Sequence, residues 1–113
     1  SDLIYSTGNV TAYSDERVKT NWREYSHDFV ERLADVKHGT YDRIDVELTQ
    51  DGVSAQSLQE LLPNSIQKTD AGTLGVNYGG AAMVSAVQLA QRVVEQDARI
   101  AKLEALVAEL MGR

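Results

Sequence analysis

The chain contains no cysteine, which removes a disulfide framework, a thiol nucleophile and zinc–thiolate chemistry together. It has a single proline, Pro63, so only one position forbids a continuing helix outright. Long apolar runs are missing, and none approaches the roughly 20 residues needed to span a bilayer. Basic residues are outnumbered, with 11 Lys and Arg against 17 Asp and Glu for a formal charge of −6. From residue 81 onward Arg92, Arg99, Lys102 and Arg113 balance Glu95, Asp97, Glu104 and Glu109, so the whole acidic excess lies in residues 1–80. An acidic head without a basic stripe argues against a nucleic-acid partner, because phosphate neutralisation supplies most of that affinity. The same shortage argues against a membrane surface. Repeats and low-complexity tracts are also lacking. The opening Ser1-Asp2-Leu3-Ile4-Tyr5 has no basic region followed by an apolar one, so no signal peptide is expected. The missing initiator Met suggests a segment of a longer polypeptide.

What is present fits one small domain. At 113 residues the chain can bury only a modest core, so association between subunits would add useful stability. Residues 1–13 are polar, with a turn at Thr7-Gly8-Asn9 and a strand-like Val10-Thr11-Ala12-Tyr13. Ser14 followed by Asp15 and Glu16 reads as a serine cap with first-turn acids. Phe29, Val30, Leu33 and Val36 stand at helical spacing within 28–37, and Gly39 reads as the stop beyond them. Ile44, Val46 and Leu48 alternate with Asp45, Glu47 and Thr49, which predicts a half-exposed strand followed by an Asp51-Gly52 turn. Ser54 to Leu62 reads as a short helix ended by Pro63. Residues 67–72 form a polar loop, 73–78 a brief extended piece, and Gly79-Gly80 releases the chain into a final helix.

That helix carries the clearest pattern. With Ala82, Leu89, Gln96, Leu103 and Leu110 at position d, and Ala86, Val93, Ile100 and Val107 at position a, every seam residue but Gln96 is apolar. The pattern runs for about four heptads, long enough to predict a coiled coil. Arg92 and Arg99 then fall at g, with Asp97 and Glu104 at the following e positions, so both pairs match in sign across a parallel interface. Such exposed pairs add little energy but select orientation and partner. An intradomain amphipathic helix would need no matched flanking charges. Gln96 is the one polar seam position, and a lone core amide fixes register and strand number at some cost in stability. β-Branched residues at a with leucine at d lean toward dimers in isolated coils. A second apolar stripe, Met83, Val87, Ala90 and Val94, predicts that the first half of the helix packs on the head while the second half associates between chains.

The chemistry concentrates in Ser14-Asp15-Glu16-Arg17-Val18-Lys19. A serine needs a base to become a nucleophile, and a lysine serves if its surroundings let it shed a proton. A spacing of five is not the helical three or four. With Ser14 as cap and Lys19 one turn in, the two side chains can still converge, and free amides at the helix start could hold an oxyanion on the Tyr13 carbonyl. On spacing alone, a serine cap beside a solvated lysine accounts for the same residues.

Thr11-Ala12-Tyr13-Ser14-Asp15-Glu16-Arg17-Val18-Lys19-Thr20-Asn21 resembles the opening motif of the self-cleaving intramolecular chaperone domains, of endosialidase type, at the C-termini of phage tail spikes and fibres. Gly52 to Pro63 resembles the family's Gly…Ala-Gln-Glu…Pro segment, and Leu74-Gly75-Val76-Asn77-Tyr78 before a long helix resembles its tail. Val18 replaces a more usual leucine. Ser54 and Ser57 stand where an aliphatic residue and a glutamate are more usual, so any role of that glutamate does not carry over. The resemblance implies a trimer that guides the preceding β-rich fibre or spike of the same polypeptide into shape. It also implies autoproteolysis between Tyr13 and Ser14, with Ser14 as nucleophile and Lys19 as its partner, without cofactor or metal. It places the protein in the host cytoplasm during virion assembly, released from the tail fibre or retained in it.

Other residues invite weaker readings. His27 and His38 lack a third partner at metal-ligand spacing, and Asp28 reads as a helix cap. Asp42, Asp45, Glu47 and Asp51 lack the ligand order of a calcium loop. Gly79-Gly80 lacks the lysine and hydroxyl of a phosphate loop. Trp22, Tyr25 and Tyr41 read as core residues, with a client-facing surface as the alternative. The expected architecture is α+β: residues 1–13 end the preceding fibre or a linker, and 14–113 form the chaperone domain. Its small mixed head, with short helices and strands or a projecting hairpin, stands on a C-terminal helix of about 81–111. That helix builds a parallel trimeric bundle through Leu89, Val93, Gln96, Ile100, Leu103, Val107 and Leu110. Two other functional classes stay open: a permanent, non-cleaving trimerisation and attachment module, and a dimeric regulatory adaptor.

Overall fold

A computed structural model of the chain describes residues 11–113. The turn expected at Thr7-Gly8-Asn9 and the start of the strand at Val10 lie outside the described residues. Thr11 to Tyr13, the rest of that strand, have no regular structure and are exposed. The elements run α1 (Phe29–Ala34), β1 (His38–Asp42), β2 (Thr49–Val53), α2 (Ala55–Gln59), β3 (Ile66–Lys68), β4 (Leu74–Val76) and α3 (Tyr78–Met111), with single 3-10 turns at Glu16–Val18 and Pro63–Ser65. The chain is therefore a mixed α/β head with short strands on one long C-terminal helix.

The head gathers around Phe29, Val36, Leu58, Leu61, Leu62 and Ala81, with Leu33, Val53, Ile66, Val76 and Val84 packed partly buried against them. Phe29 is the largest fully buried side chain and stacks on Tyr25 at 4.8 Å between ring centroids. α1 stops at Ala34, three residues short of the expected end. The Asp35 and Val36 amides bond back to Arg32 and Leu33 in the tighter three-residue pattern, and that turn carries Val36 into the core. Gly39 is therefore no helix stop. It lies inside β1 with φ of 145°, a conformation that glycine adopts without cost and L side chains rarely do.

The largest departure from expectation is the segment around Ile44. β1 and β2 pair antiparallel from His38↔Val53 to Asp42↔Thr49, so 43–48 is the hairpin's loop and not a strand. Alternation selects a strand only where one face has something to cover it. Here Ile44 is fully exposed, and the Arg43 amide donating to the Leu48 carbonyl at 2.9 Å closes the loop. An Arg43–Asp45 ion pair braces it from within. The expected Asp51-Gly52 turn is also strand. A Cβ on Gly52 would stand 2.6 Å from the Tyr78 hydroxyl and 3.3 Å from the Tyr41 ring, so glycine is required by close approach there. Tyr78 Oη accepts from the Val53 amide at 3.2 Å, fastening the hairpin base to the start of α3.

The second pair, β3 with β4, runs antiparallel from Ile66↔Val76 to Lys68↔Leu74. It places Gln67 and Lys68, expected in the loop, on a strand. α2 begins where the sequence indicates: Ser54 Oγ accepts from the Ser57 amide at 3.2 Å, and Pro63 opens the next turn. Asn77 caps α3 by accepting from the Gly80 amide at 3.3 Å, so the two glycines lie within its first turn instead of ahead of it.

α3 has 34 residues, about 51 Å of helix at 1.5 Å per residue. The head covers only Ala81, Val84, Ser85, Gln88 and Arg92, and every residue beyond Arg92 is exposed. The stripe Met83, Val87, Ala90 and Val94, expected against the head, is instead open to solvent. The reason is angular, because the head's apolar residues meet the helix on the side of Ala81 and Val84. Arg92 fixes that side by an ion pair to Glu31 at 2.6 Å.

Candidate functional site

The turn at Glu16–Val18 is built by Asp15. Its backbone is extended (φ −68°, ψ 124°), and its carboxylate caps the turn by accepting from the Arg17 amide. The Arg17 guanidinium folds back onto the same carboxylate, Nε to Oδ1 and Oδ2 at 3.1 Å and Nη2 to Oδ2 at 2.7 Å. The cap is therefore Asp15 and not Ser14: the carboxylate takes the Arg17 amide and guanidinium together, while Ser14 Oγ is engaged by Lys19. This hydrogen bonding from Arg17 holds the Asp15 carboxyl below its usual range, with a smaller contribution from the nearby Lys19 charge.

One turn of chain then reverses direction. The Val18 and Lys19 amides donate to the Asp15 and Glu16 carbonyls at 3.2 and 3.0 Å, and Lys19 leaves the turn extended. Ser14 before the turn and Lys19 after it come together, and Lys19 Nζ donates to Ser14 Oγ at 2.6 Å. The spacing of five is thus the span of a single capped turn. Lys19 Nζ also stands 5.7 Å from the centroid of the Trp22 ring, within reach of a cation–π attraction. Asn21 holds φ of 56° between them, a left-handed conformation asparagine tolerates better than most residues. The sequence puts Trp22 in the core or on a client-facing surface and gives it no place beside the Ser14–Lys19 pair. The signal for Trp22 is its place three residues after the lysine.

The pair is open to solvent. Ser14 and Lys19 are exposed, and Tyr13, immediately before Ser14, is fully so. The amides of Arg17, Val18 and Lys19 are consumed within the turn, which leaves them unable to bind an oxyanion. Trp22, Tyr25 and Tyr41 are not core residues: Trp22 is 71% exposed, and the two tyrosines 42% each.

The seam residues Leu89, Val93, Gln96, Ile100, Leu103, Val107 and Leu110 are all exposed along one side of α3. None is folded back onto the head. Arg92, expected to face Asp97 of a second helix, is held by Glu31 of its own chain and reaches the His27 carbonyl at 3.5 Å. Among the described residues no three His, Asp or Glu side chains stand where they could share a metal ion, and no helix is long and apolar enough to cross a membrane. The hairpin's acids are engaged singly: Asp42 accepts from Thr49 at 2.7 Å, and Asp45 pairs with Arg43.

Residues 14–67 match the family described as chaperone of endosialidase, and the match begins at Ser14 itself. No curated protein matches the chain.

Proposed function

Since this chain carries a chaperone domain of the endosialidase family over residues 14–67, we propose that it is a trimeric intramolecular chaperone that assists a preceding fibre or spike segment and then releases itself by cutting between Tyr13 and Ser14. The observation that carries the release step is the 2.6 Å contact between Lys19 Nζ and Ser14 Oγ at the first residues of the matched segment.

The chemistry is a single-turnover acyl shift. In the resting contact a lysine ammonium donates to the serine oxygen, and for catalysis the polarity must reverse. A neutral Lys19 amine accepts the Ser14 Oγ proton as Oγ attacks the Tyr13 carbonyl carbon. The Tyr13–Ser14 C–N bond then breaks, and the proton on Lys19 passes to the departing Ser14 nitrogen. This leaves an ester between the Tyr13 carboxyl and Ser14 Oγ. Water hydrolyses the ester, freeing the Tyr13 carboxylate and restoring the Ser14 hydroxyl. Solvent around the pair stabilises the ammonium, so release waits for an event that removes water from Lys19. Subunit assembly supplies such an event and ties cleavage to a correctly formed trimer. The exposed α3 seam is the surface on which that assembly would form.

Intact mass tests the proposal. The native chain should lose residues 1–13 and yield a product beginning at Ser14, whereas Ser14→Ala and Lys19→Ala chains stay at full mass. If all three keep one mass as oligomers, self-release fails and the domain is a permanent trimerisation module. A dimer in light scattering would instead favour the adaptor reading.

A further inference from the structure

The stripe Met83, Val87, Ala90 and Val94 has no occupant in its own chain, with Met83 64% and Val94 68% exposed. It also lies off the a/d seam, at positions e and b. A seam built from a and d alone therefore leaves it uncovered. The head occupies the opposite flank of the same helix, centred on Ala81 and Gln88 at c and Val84 at f and reaching Ser85 and Arg92 at g. In a parallel assembly the g flank of each helix faces the e flank of the next. Each head reaches g through the Glu31–Arg92 ion pair, and on that edge it would overhang the e and b stripe of its neighbour.

The levels along the axis agree as well. A crevice between the head and α3 is lined by Arg23, Tyr25 and Phe29 on one side and by Gln88, Arg92 and Glu95 on the other. Residues 23–25 thus sit at the height of Gln88 to Glu95 with Trp22 next to them in the chain, and in an in-register parallel assembly equal residue numbers share a height. That stretch carries the exposed Trp22 ring with Lys19 above it. Resting on the trimer reading above, we propose that Trp22 and the adjoining Tyr25 of each subunit dock on the stripe formed by Met83, Val87 and Val94 of the partner subunit. A second copy of this chain completes the Ser14–Lys19 site, because the apolar surface that covers Trp22 also removes water from the Lys19 ammonium beside it.

Trp22 is the only tryptophan, so its fluorescence reports this contact directly. In the oligomer its emission should lie to the blue of the urea-unfolded chain and resist quenching by iodide. Val94→Glu and Met83→Glu lie outside the seam and away from the head. Each should return Trp22 to an iodide-accessible, red-shifted state while light scattering still finds the oligomer, and each should slow release of residues 1–13. Trp22→Cys/Val94→Cys, in a chain without other cysteines, should give intermolecular products with a short bismaleimide, whereas Trp22→Cys alone should not. An intact oligomer with solvated Trp22 emission and no such cross-link would overturn the docking and leave the trimer standing. A wild-type chain that remains monomeric would overturn both.

Discussion

Asp15 is the side chain on which the geometry of Ser14 and Lys19 depends, since the turn that joins them closes on its carboxylate. Its pKa is lowered in the folded chain, chiefly by Arg17, so its contribution is complete above the ordinary aspartate value near 3.9. That contribution fades as pH falls through the depressed folded value. NMR should therefore show the Arg17 amide moving downfield as Asp15 ionises, with a midpoint below about 3.9, and Arg17→Ala should bring the midpoint back up. Asp15→Ala should slow release of residues 1–13 without abolishing it, because Ser14 and Lys19 persist but no longer share a fixed turn. The serine–lysine pair was legible in the sequence; the identity of the cap was not. Ser and Asp cap almost equally well, so two adjacent candidates tie until Arg17 is seen to choose the acid. Phe29 lies at the other extreme of burial. Phe29→Ala should cost about 3–5 kcal/mol, a large share of the roughly 5–15 kcal/mol that holds a domain, and should shift or erase the urea transition of the head.

Among the elements, α2 shows how a departure from the family pattern finds its own use. Ser54 caps the helix, and Ser57 Oγ accepts from the Lys37 amide at 2.9 Å, tying α2 to the chain leaving α1. Ser54→Ala should cost about 0.5–2 kcal/mol in urea unfolding. α1 was legible because Phe29 and Leu33 repeat at helical spacing, and α2 from its Ser54 start, although it ends at Gln59 instead of running to Leu62. The hairpin was misread because Ile44, Val46 and Leu48 alternate without a surface to face. Local pattern records a tendency, and pairing through Gly39 and Gly52 decided where the strands lie. The Arg92–Glu31 bridge was invisible for a related reason: heptad geometry offers Arg92 a partner on another chain, and only the docking of α1 on α3 brings Glu31 within reach. Both groups keep contact with solvent, so a double-mutant cycle between Arg92→Ala and Glu31→Ala should yield a coupling of about 0.2–1 kcal/mol, falling with added salt.

For the whole molecule, the long helix and the small mixed head were legible from periodicity and length, while the face the head would choose was not. Two apolar stripes compete on paper, and the head takes neither; it settles on Ala81 and Val84, where small residues let the layers approach. This leaves both stripes exposed in the single chain, free for the copies that the proposed trimer would bring. Gln96 is the single amide in the proposed seam, and Gln96→Leu should stabilise the assembly by about 1–3 kcal/mol per subunit. Its melting temperature should rise, and its mass in light scattering should spread over more than one association state as the register signal is lost.

Beyond Glu95 every residue of the final helix is exposed, and the ion pair between Glu109 and Arg113 at 2.7 Å is local to one turn. Helical stretches without a packing face are marginal in water. In the proposed trimer, coiling of the tail and meeting of the copies would be one thermodynamic event. Ellipticity at 222 nm should then climb with protein concentration, and the molecule would in effect measure how many of its kind surround it before its far end takes shape.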